Sequence, residues 1–226
     1  MLAKRRGQGY QLANGIGAVL ADNHSLSGQN WLVVLHLQQF GRENRVYHAL
    51  SIGLDDIRAD WQAELNWQTQ TFWDDKNGSF YTEQQLRFGQ LVLQAKPAAL
   101  ALTAEQKQQA WLSYIANKGL AVLTWPDAVQ QLRQRVALLR QYQPAAAWPD
   151  FSDDALLAAL PNWLGSYLAQ ISKSTALAQI PLYEALLQCL SYQQQQLLNQ
   201  LLPTHWQAPT GSRLSINYLV EGGPRL

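Results

Sequence analysis

Tyr10-Gln11-Leu12-Ala13-Asn14-Gly15-Ile16-Gly17-Ala18-Val19-Leu20 decides how the first half of this chain folds. Two short apolar runs flank an Asn-Gly step, and such a step supplies the positive φ angles that a tight hairpin turn demands. The same grammar repeats outward from this hairpin. Trp31 to Leu37 is a second strand-like run and Asn44 to Ile52 a third, with Phe40-Gly41-Arg42-Glu43 as the turn between them. Leu54, Ile57 and Trp61 recur at helical spacing within 54–63. Gln68 to Trp73, the turn Asp74-Asp75-Lys76-Asn77-Gly78 and Ser79 to Glu83 read as another hairpin, and Leu86 to Gln94 as a last strand stopped by Pro97. Short strands joined by hairpin turns, with one helix among them, predict a small β-barrel over residues 1–100.

Beyond Pro97 the period becomes helical. Thr103 and Gln106 fit a capping box, in which each side chain satisfies an orphan amide at the helix start. Trp111 and Ile115 share a face, and Gly119 stands where a C-terminal cap belongs. Pro126 suits the first turn of the next helix, whose apolar stripe is Val129, Leu132, Val136 and Leu139 and which ends before Pro144. Ser152-Asp153-Asp154 predicts a cap for 155–160, and two more helices are expected over 163–171 and 182–202. The tail has turn residues Pro209, Gly211 and Ser212 and then an alternating run from Leu214 to Tyr218. The expected architecture is therefore α+β: a barrel domain over 1–100, then a mainly α-helical domain over 101–226 that ends in a short strand.

Composition narrows the function classes. In 226 residues, 47% hydrophobic and 10% aromatic content supplies a sizeable core and argues against intrinsic disorder. Only 15% of residues are charged, against about 25% in an average soluble chain. Seventeen basic and sixteen acidic residues leave a formal charge of +1, so the whole chain is no electrostatic magnet for nucleic acid. The single Cys189 excludes an internal disulfide framework and suits a reducing compartment. No apolar run approaches the roughly 18–20 residues of a membrane span, and no apolar segment follows Lys4-Arg5-Arg6 as a secretory signal requires. A cytoplasmic setting without membrane contact is expected.

Catalytic chemistry leaves no trace. There is no Gly-x-x-x-x-Gly-Lys-Ser/Thr phosphate loop, and the Gly7/Gly9 and Gly15/Gly17 pairs lack the rest of a dinucleotide fingerprint. His24, His36, His48 and His205 show no metal-ligand spacing, although His36 and His48 fall on neighbouring strands and can meet as satisfied sheet histidines. Asp55-Asp56, Asp74-Asp75 and Asp153-Asp154 sit at turns and helix starts, where carboxylates cap. Cys189 lies beside Leu186, Leu187 and Leu190 on a helical stripe, and burial is expected for it. No catalytic and no metal-binding residue is assigned.

Binding candidates are the cations. Small barrels hold single-stranded nucleic acid with aromatic stacking and basic side chains. Lys4, Arg5 and Arg6 form the one obvious cluster, as a binding patch or as a solvated arm, while Arg42 lies in a predicted turn and Arg45 in the strand after it. Arg133 and Arg140 lie two turns apart on one helix face, where they either solvate the helix or bind. Thr210-Gly211-Ser212-Arg213 offers hydroxyls and a guanidinium from a flexible turn, which suits a phosphate as well as it suits a structural turn.

Several stretches together carry a family resemblance. Gly9 to Ala18 followed by Trp31-Leu32-Val33-Val34, Gly119-Leu120-Ala121-Val122-Leu123-Thr124-Trp125, Leu132 to Leu139, Asp153 to Leu160 with Trp163-Leu164, and Pro203 to Arg213 follow the same order as in HrpB-type bacterial ATP-dependent helicases. Pro203-Thr204-His205-Trp206-Gln207-Ala208-Pro209-Thr210-Gly211-Ser212-Arg213 is the most specific of them. That family resembles the DEAH-box RNA helicases. The resemblance implies an OB-like barrel and a family-specific C-terminal domain from the post-motor region, with the chain starting within or just before the OB-like part and stopping short of the family's end. It further implies that ATP and Mg belong to motor domains of the same polypeptide and not to this piece. The implied partners are single-stranded RNA and those motor domains. An alternative of a different class is an architectural or protein-docking module without nucleic-acid contact, which high Trp and low charge fit equally.

Overall fold

A computed structural model of the chain describes residues 1–98, 101–143, 147–220 and 223–226. It divides into two compact units, one comprising 1–72 and 81–101, the other 73–80 and 102–226. Residue 100, where the expected boundary falls, lies outside the described residues. The tip of one hairpin, residues 73–80, belongs to the second unit, an excursion that no single cut along the chain captures.

In the first unit β1 (Leu2–Arg6), β2 (Gly9–Leu12), β3 (Gly17–Ala18), β4 (Trp31–Phe40) and β5 (Glu43–Ser51) form an antiparallel sheet in the order β3-β2-β1-β4-β5. Its buried face is Ala3, Tyr10, Leu12, Ala18, Leu32, Val34 and Val46. The Asn-Gly hairpin forms, but with a different turn from the one expected. Gly15 alone takes positive φ, at 89°, while its N–H donates to the Leu12 carbonyl and the Leu12 N–H donates to that of Ile16. This is the pattern of a three-residue loop with a glycine bulge. A closed barrel is not what the strands make. The ladder ends at β3 and β5, and a single bridge, Val19 to Arg45, reaches from one margin to the other.

After β5 comes α1 (Leu54–Asp60), whose Ile57 is fully buried. The remaining strands are β6 (Asn66–Asp74), β7 (Ser79–Phe88) and β8 (Leu91–Pro97), a separate three-stranded sheet in that order. The single strand expected over 86–94 is a hairpin in which Phe88 pairs with Leu91 across Gly89-Gln90. Gly89 has φ 55°, and a Cβ there would stand 2.4 Å from the Ala13 carbonyl oxygen, so neither the conformation nor the space admits a side chain. Leu86, Leu91 and Leu93 join Leu2, Trp31 and Ile57 in a second buried cluster.

The second unit is helical. α2 (Ala104–Lys118) starts with the expected capping box: Thr103 Oγ1 accepts from the Gln106 N–H at 3.2 Å, and Gln106 Oε1 accepts from the Thr103 N–H at 3.0 Å. α3 (Asp127–Tyr142) buries Val129, Leu132, Val136 and Leu139, the stripe read from the sequence. It ends before Pro144, a residue outside those described. α4 (Asp153–Ala158) follows its Ser152 cap. The helix expected over 163–171 is broken into α5 (Leu160–Trp163) and α6 (Gly165–Leu168), and the helix expected over 182–202 into α7 (Leu182–Leu187) and α8 (Tyr192–Leu201). The second break has a visible cause, since Ser191 and Gln194 form another capping box that starts a new helix. Cys189 falls in that break and is exposed, not buried as its apolar neighbours suggested. β9 (His205–Gln207) and β10 (Arg213–Ser215) close the unit as a small hairpin.

Trp111, fully buried, is the hub of the helical core. Its indole N–H donates to the Ile171 carbonyl at 2.9 Å, and Trp73 and Phe80 from the hairpin tip pack on it with centroids at 5.6 and 4.8 Å. Tyr114 stacks 4.4 Å from Trp73. Edge-on aromatic pairs of this kind contribute about 0.5–1.5 kcal/mol each beyond their burial.

Candidate nucleic-acid interface

The ten candidate residues meet very different surroundings. Lys4, Arg5 and Arg6 are not an arm: they form the second half of β1, a strand paired on both sides, so their side chains alternate between faces. Lys4 donates to the Val92 carbonyl, lies 5.2 Å over the Trp31 ring, and has its pKa lowered by burial. Arg5 donates to the carbonyls of Gly28 and Gly7. Arg6 is exposed, and its side chain has no hydrogen bond or ion pair among the described residues.

Arg6 has company. The β4–β5 turn brings Arg42 to the same concavity, of about 370 Å³, whose wall is Gly9, Gln11, Gly15 and Gly17 with Glu43 and Asn44 at its margin. Arg42 is likewise exposed and unpartnered among the described residues. Two free guanidiniums facing a wall with three glycines allow a phosphodiester to approach the backbone closely, with bidentate donors at hand. Asn44 donates from its side chain to the Gly17 carbonyl at 3.0 Å and so ties β5 to this wall.

Beside the cleft, the β4–β5 hairpin carries an exposed face that is more aromatic than the run of cations suggested. Arg45 lies 4.9 Å over the Phe40 ring and 3.8 Å from Glu43, and Phe40 is 63% exposed. His36 and His48 do meet, directly opposite in register, stacked at 5.7 Å, with Tyr47 5.6 Å from His36. They are exposed, not enclosed as core histidines. The meeting of the two histidines was legible in the sequence, whereas the exposed Phe40 and Tyr47 beside them were not, since a bulge between Val34 and Leu37 shifts the register of β4 against β5.

In the helical unit the two candidate arginines of α3 are spoken for. Arg133 pairs with Asp153, donates to the Phe151 carbonyl at 2.8 Å and lies 4.8 Å over Trp125. Arg140 pairs with Asp150 at 2.7 Å. Asp150 has its pKa held down chiefly by the Ser152 backbone N–H and further by Arg140. Arg135, not among the candidates, is 1% exposed and donates to the Leu202 carbonyl at 2.7 Å and to Asn199 Oδ1 at 2.8 Å. It caps the C-terminus of α8 with a buried guanidinium that has no carboxylate partner among the described residues. Thr210 and Ser212 belong to the β9–β10 turn, where the Gly211 N–H donates to the Ala208 carbonyl and the Ala208 N–H to that of Ser212. Arg213 is exposed on that hairpin and lines a polar hollow of about 690 Å³ with Asn199, Thr204, His205 and Gln207.

Two of the carboxylate pairs act as caps and turn anchors, while at the third Ser152 is the cap and Asp153 pairs with Arg133. Asp56 accepts from the Gly53 N–H, Asp74 from Lys76 and Asn77, and Asp75 from the Trp73 indole. Among the described residues no group of three or more His, Cys, Asp or Glu could hold a metal ion, and no helix is long and apolar enough to cross a membrane.

Comparison with known proteins bears out the resemblance to HrpB-type ATP-dependent helicases. Residues 163–226 match a family described as the ATP-dependent helicase C-terminal domain, HrpB_C. Residues 64–98 match the connector region of the ATP-dependent RNA helicase HrpB and cover the β6–β8 sheet. The chain is 35% identical over 229 aligned positions to the ATP-dependent RNA helicase HrpB of Escherichia coli (strain K12), covering all of this chain and 28% of that protein. Two solved structures, of the E. coli DExH-box NTPase HrpB and of the Escherichia coli DEAH/RHA helicase HrpB, match 99% of this chain and 28% of theirs. Their TM-scores are 0.56 and 0.55, at 35% and 34% identity. The chain thus carries matches to the HrpB connector and C-terminal domains and spans a little over a quarter of the length of the relatives it resembles.

Proposed function

We propose that this chain is the non-motor part of an ATP-dependent RNA helicase of the cytoplasm, and that its sheet unit grips single-stranded RNA. The observation that carries this reading is the pairing of Arg6 and Arg42, both unpartnered among the described residues, across a glycine-walled cleft. Phosphates enter the cleft, where the guanidiniums replace their counterions, and bases stack on the neighbouring Phe40, His36, Tyr47 and His48. The five-stranded sheet works as an OB-like platform: the Val19 N–H donates to Asn44 and Val46 donates to Val19, both at 2.9 Å, which draws its two margins together. ATP and Mg act in the motor domains. The residues here do not suit them, with no phosphate loop in the sequence and no carboxylate cluster among the described residues, so no step of ATP chemistry is derived through this chain.

A docking role is favoured for the helical unit. Its Arg133 and Arg140 are neutralised, while Trp206 and Leu214, opposite each other on the β9–β10 hairpin, leave an apolar pair 44% and 41% exposed. Such a pair suits bracing of the motor. Photocrosslinking of the chain to a single-stranded RNA containing 4-thiouridine, read by mass spectrometry, tests the division. Adducts are expected within 36–48. Adducts confined to the helical unit would refute it.

A further inference from the structure

We propose that the outer edge of β6 pairs antiparallel with the β6 edge of a second copy of this chain, about a two-fold axis at Gln70. This inference is independent of the nucleic-acid reading.

β6 is nine residues long and is an edge of its sheet, hydrogen-bonded to β7 on one side. Trp67, Gln68, Thr69 and Thr71 are exposed. A long strand edge presents a row of unpaired N–H and C=O groups, and proteins normally blunt such edges with charges, prolines, bulges or short strands. The other edges here are shorter, charged or partly covered. β8 ends in Lys96-Pro97, β3 has two residues, β9 and β10 have three each, and β5, as long as β6, carries Glu43 and Arg45, is irregular in its pairing with β4 and is bridged by Val19. From Trp67 to Trp73, β6 has no charged residue, no glycine and no proline.

Its sequence also fits itself. Trp67-Gln68-Thr69-Gln70-Thr71-Phe72-Trp73 reads nearly alike from either end about Gln70. An antiparallel pair centred there sets Thr69 opposite Thr71 of the second copy, twice, and Gln68 opposite Phe72, twice. Threonine pairs are among the favourable cross-strand pairs, and no charges of like sign face one another. The five residues 68–72 at the centre lie within a single unit. A two-fold antiparallel pairing is isologous and closes at two copies, so it yields a dimer and not a fibre. Its small area makes it a weak, concentration-dependent dimer.

Sedimentation equilibrium of the whole chain over a wide concentration range tests this, with two variants at the exposed threonines. Wild type is expected to show a monomer–dimer equilibrium. T69K/T71K sets lysine opposite lysine twice and weakens association by about tenfold or more. T69K/T71E sets lysine opposite glutamate twice and restores association. The proposal is overturned by a wild type that stays monomeric at every concentration, by a T69K/T71K variant that dimerises like wild type, or by a T69K/T71E variant no stronger than T69K/T71K.

Discussion

The two units hold nearly equal numbers of cations, eight basic residues in the sheet unit and nine in the helical unit, yet the arginines singled out in each are used in opposite ways. Among the described residues, the sheet unit leaves the Arg6 and Arg42 side chains without a partner at a cleft. The helical unit commits Arg133 and Arg140 to Asp153 and Asp150 and sinks Arg135 into its core. Counting charges therefore misjudges both units. What matters for binding a polyanion is how many guanidiniums lack a partner and whether backbone can approach beside them.

Arg135→Met gives the largest effect expected. The guanidinium leaves, and the Leu202 and Leu198 carbonyls and Asn199 lose a donor in a buried site, at a cost of about 2–4 kcal/mol. Chemical denaturation should show this loss in the transition of the helical unit, with RNA affinity unchanged at temperatures where the fold persists. A drop in affinity without a drop in stability would mean that the cations of the two units are not used differently.

Gly89→Ala comes next and acts on the sheet unit. A methyl group at φ 55° and 2.4 Å from the Ala13 oxygen forces the β7–β8 hairpin away from the 12–16 loop. A loss of about 1–3 kcal/mol is expected in the sheet transition alone. Simultaneous loss in both transitions would show that the units do not unfold separately.

The smallest effect belongs to the exposed Arg140–Asp150 pair. Arg140→Ala should cost less than about 1 kcal/mol, because solvent screens such pairs. Its pH signature has a definite sign. The folded state depresses the Asp150 pKa, so the associated stability is complete above the ordinary aspartate value of about 3.9 and is lost as the pH falls through the lower folded value. The difference in stability between wild type and Asp150→Asn, followed against pH, should vanish at the acid end. A difference that grew on acidification would reverse the assignment.

Much of this was legible in the residues, and the failures have physical causes. The hairpins at Asn14-Gly15 and Gly41-Arg42 and the box at Thr103 and Gln106 announce themselves through local hydrogen bonding, which needs no tertiary context. The same signature at Ser191 and Gln194 breaks an apparently continuous apolar stripe, because a satisfied N-terminus competes with helix continuation. Leu2 to Arg6 hides its nature, since three cations in a five-residue run mask a strand whose membership is set by partners on both sides. The cleft was half legible. Arg6 and Arg42 were candidates, but only the sheet order brings residues 36 positions apart to one wall. The ion-pair partners of Arg133 and Arg140 are the first residue of α4 and a residue just before it, 20 and 10 positions downstream, which helical spacing alone does not reveal.

The most direct test of the central claim is the affinity of the whole chain for a fluorescent single-stranded RNA, titrated at several salt concentrations. Wild type, R6A/R42A and R133A/R140A are compared. The R6A/R42A variant should bind more weakly, and its slope of log affinity against log salt should fall by about 0.7 for each phosphate that is no longer neutralised. R133A/R140A should match wild type in slope. An unchanged slope for R6A/R42A, or a reduced one for R133A/R140A alone, would contradict the account.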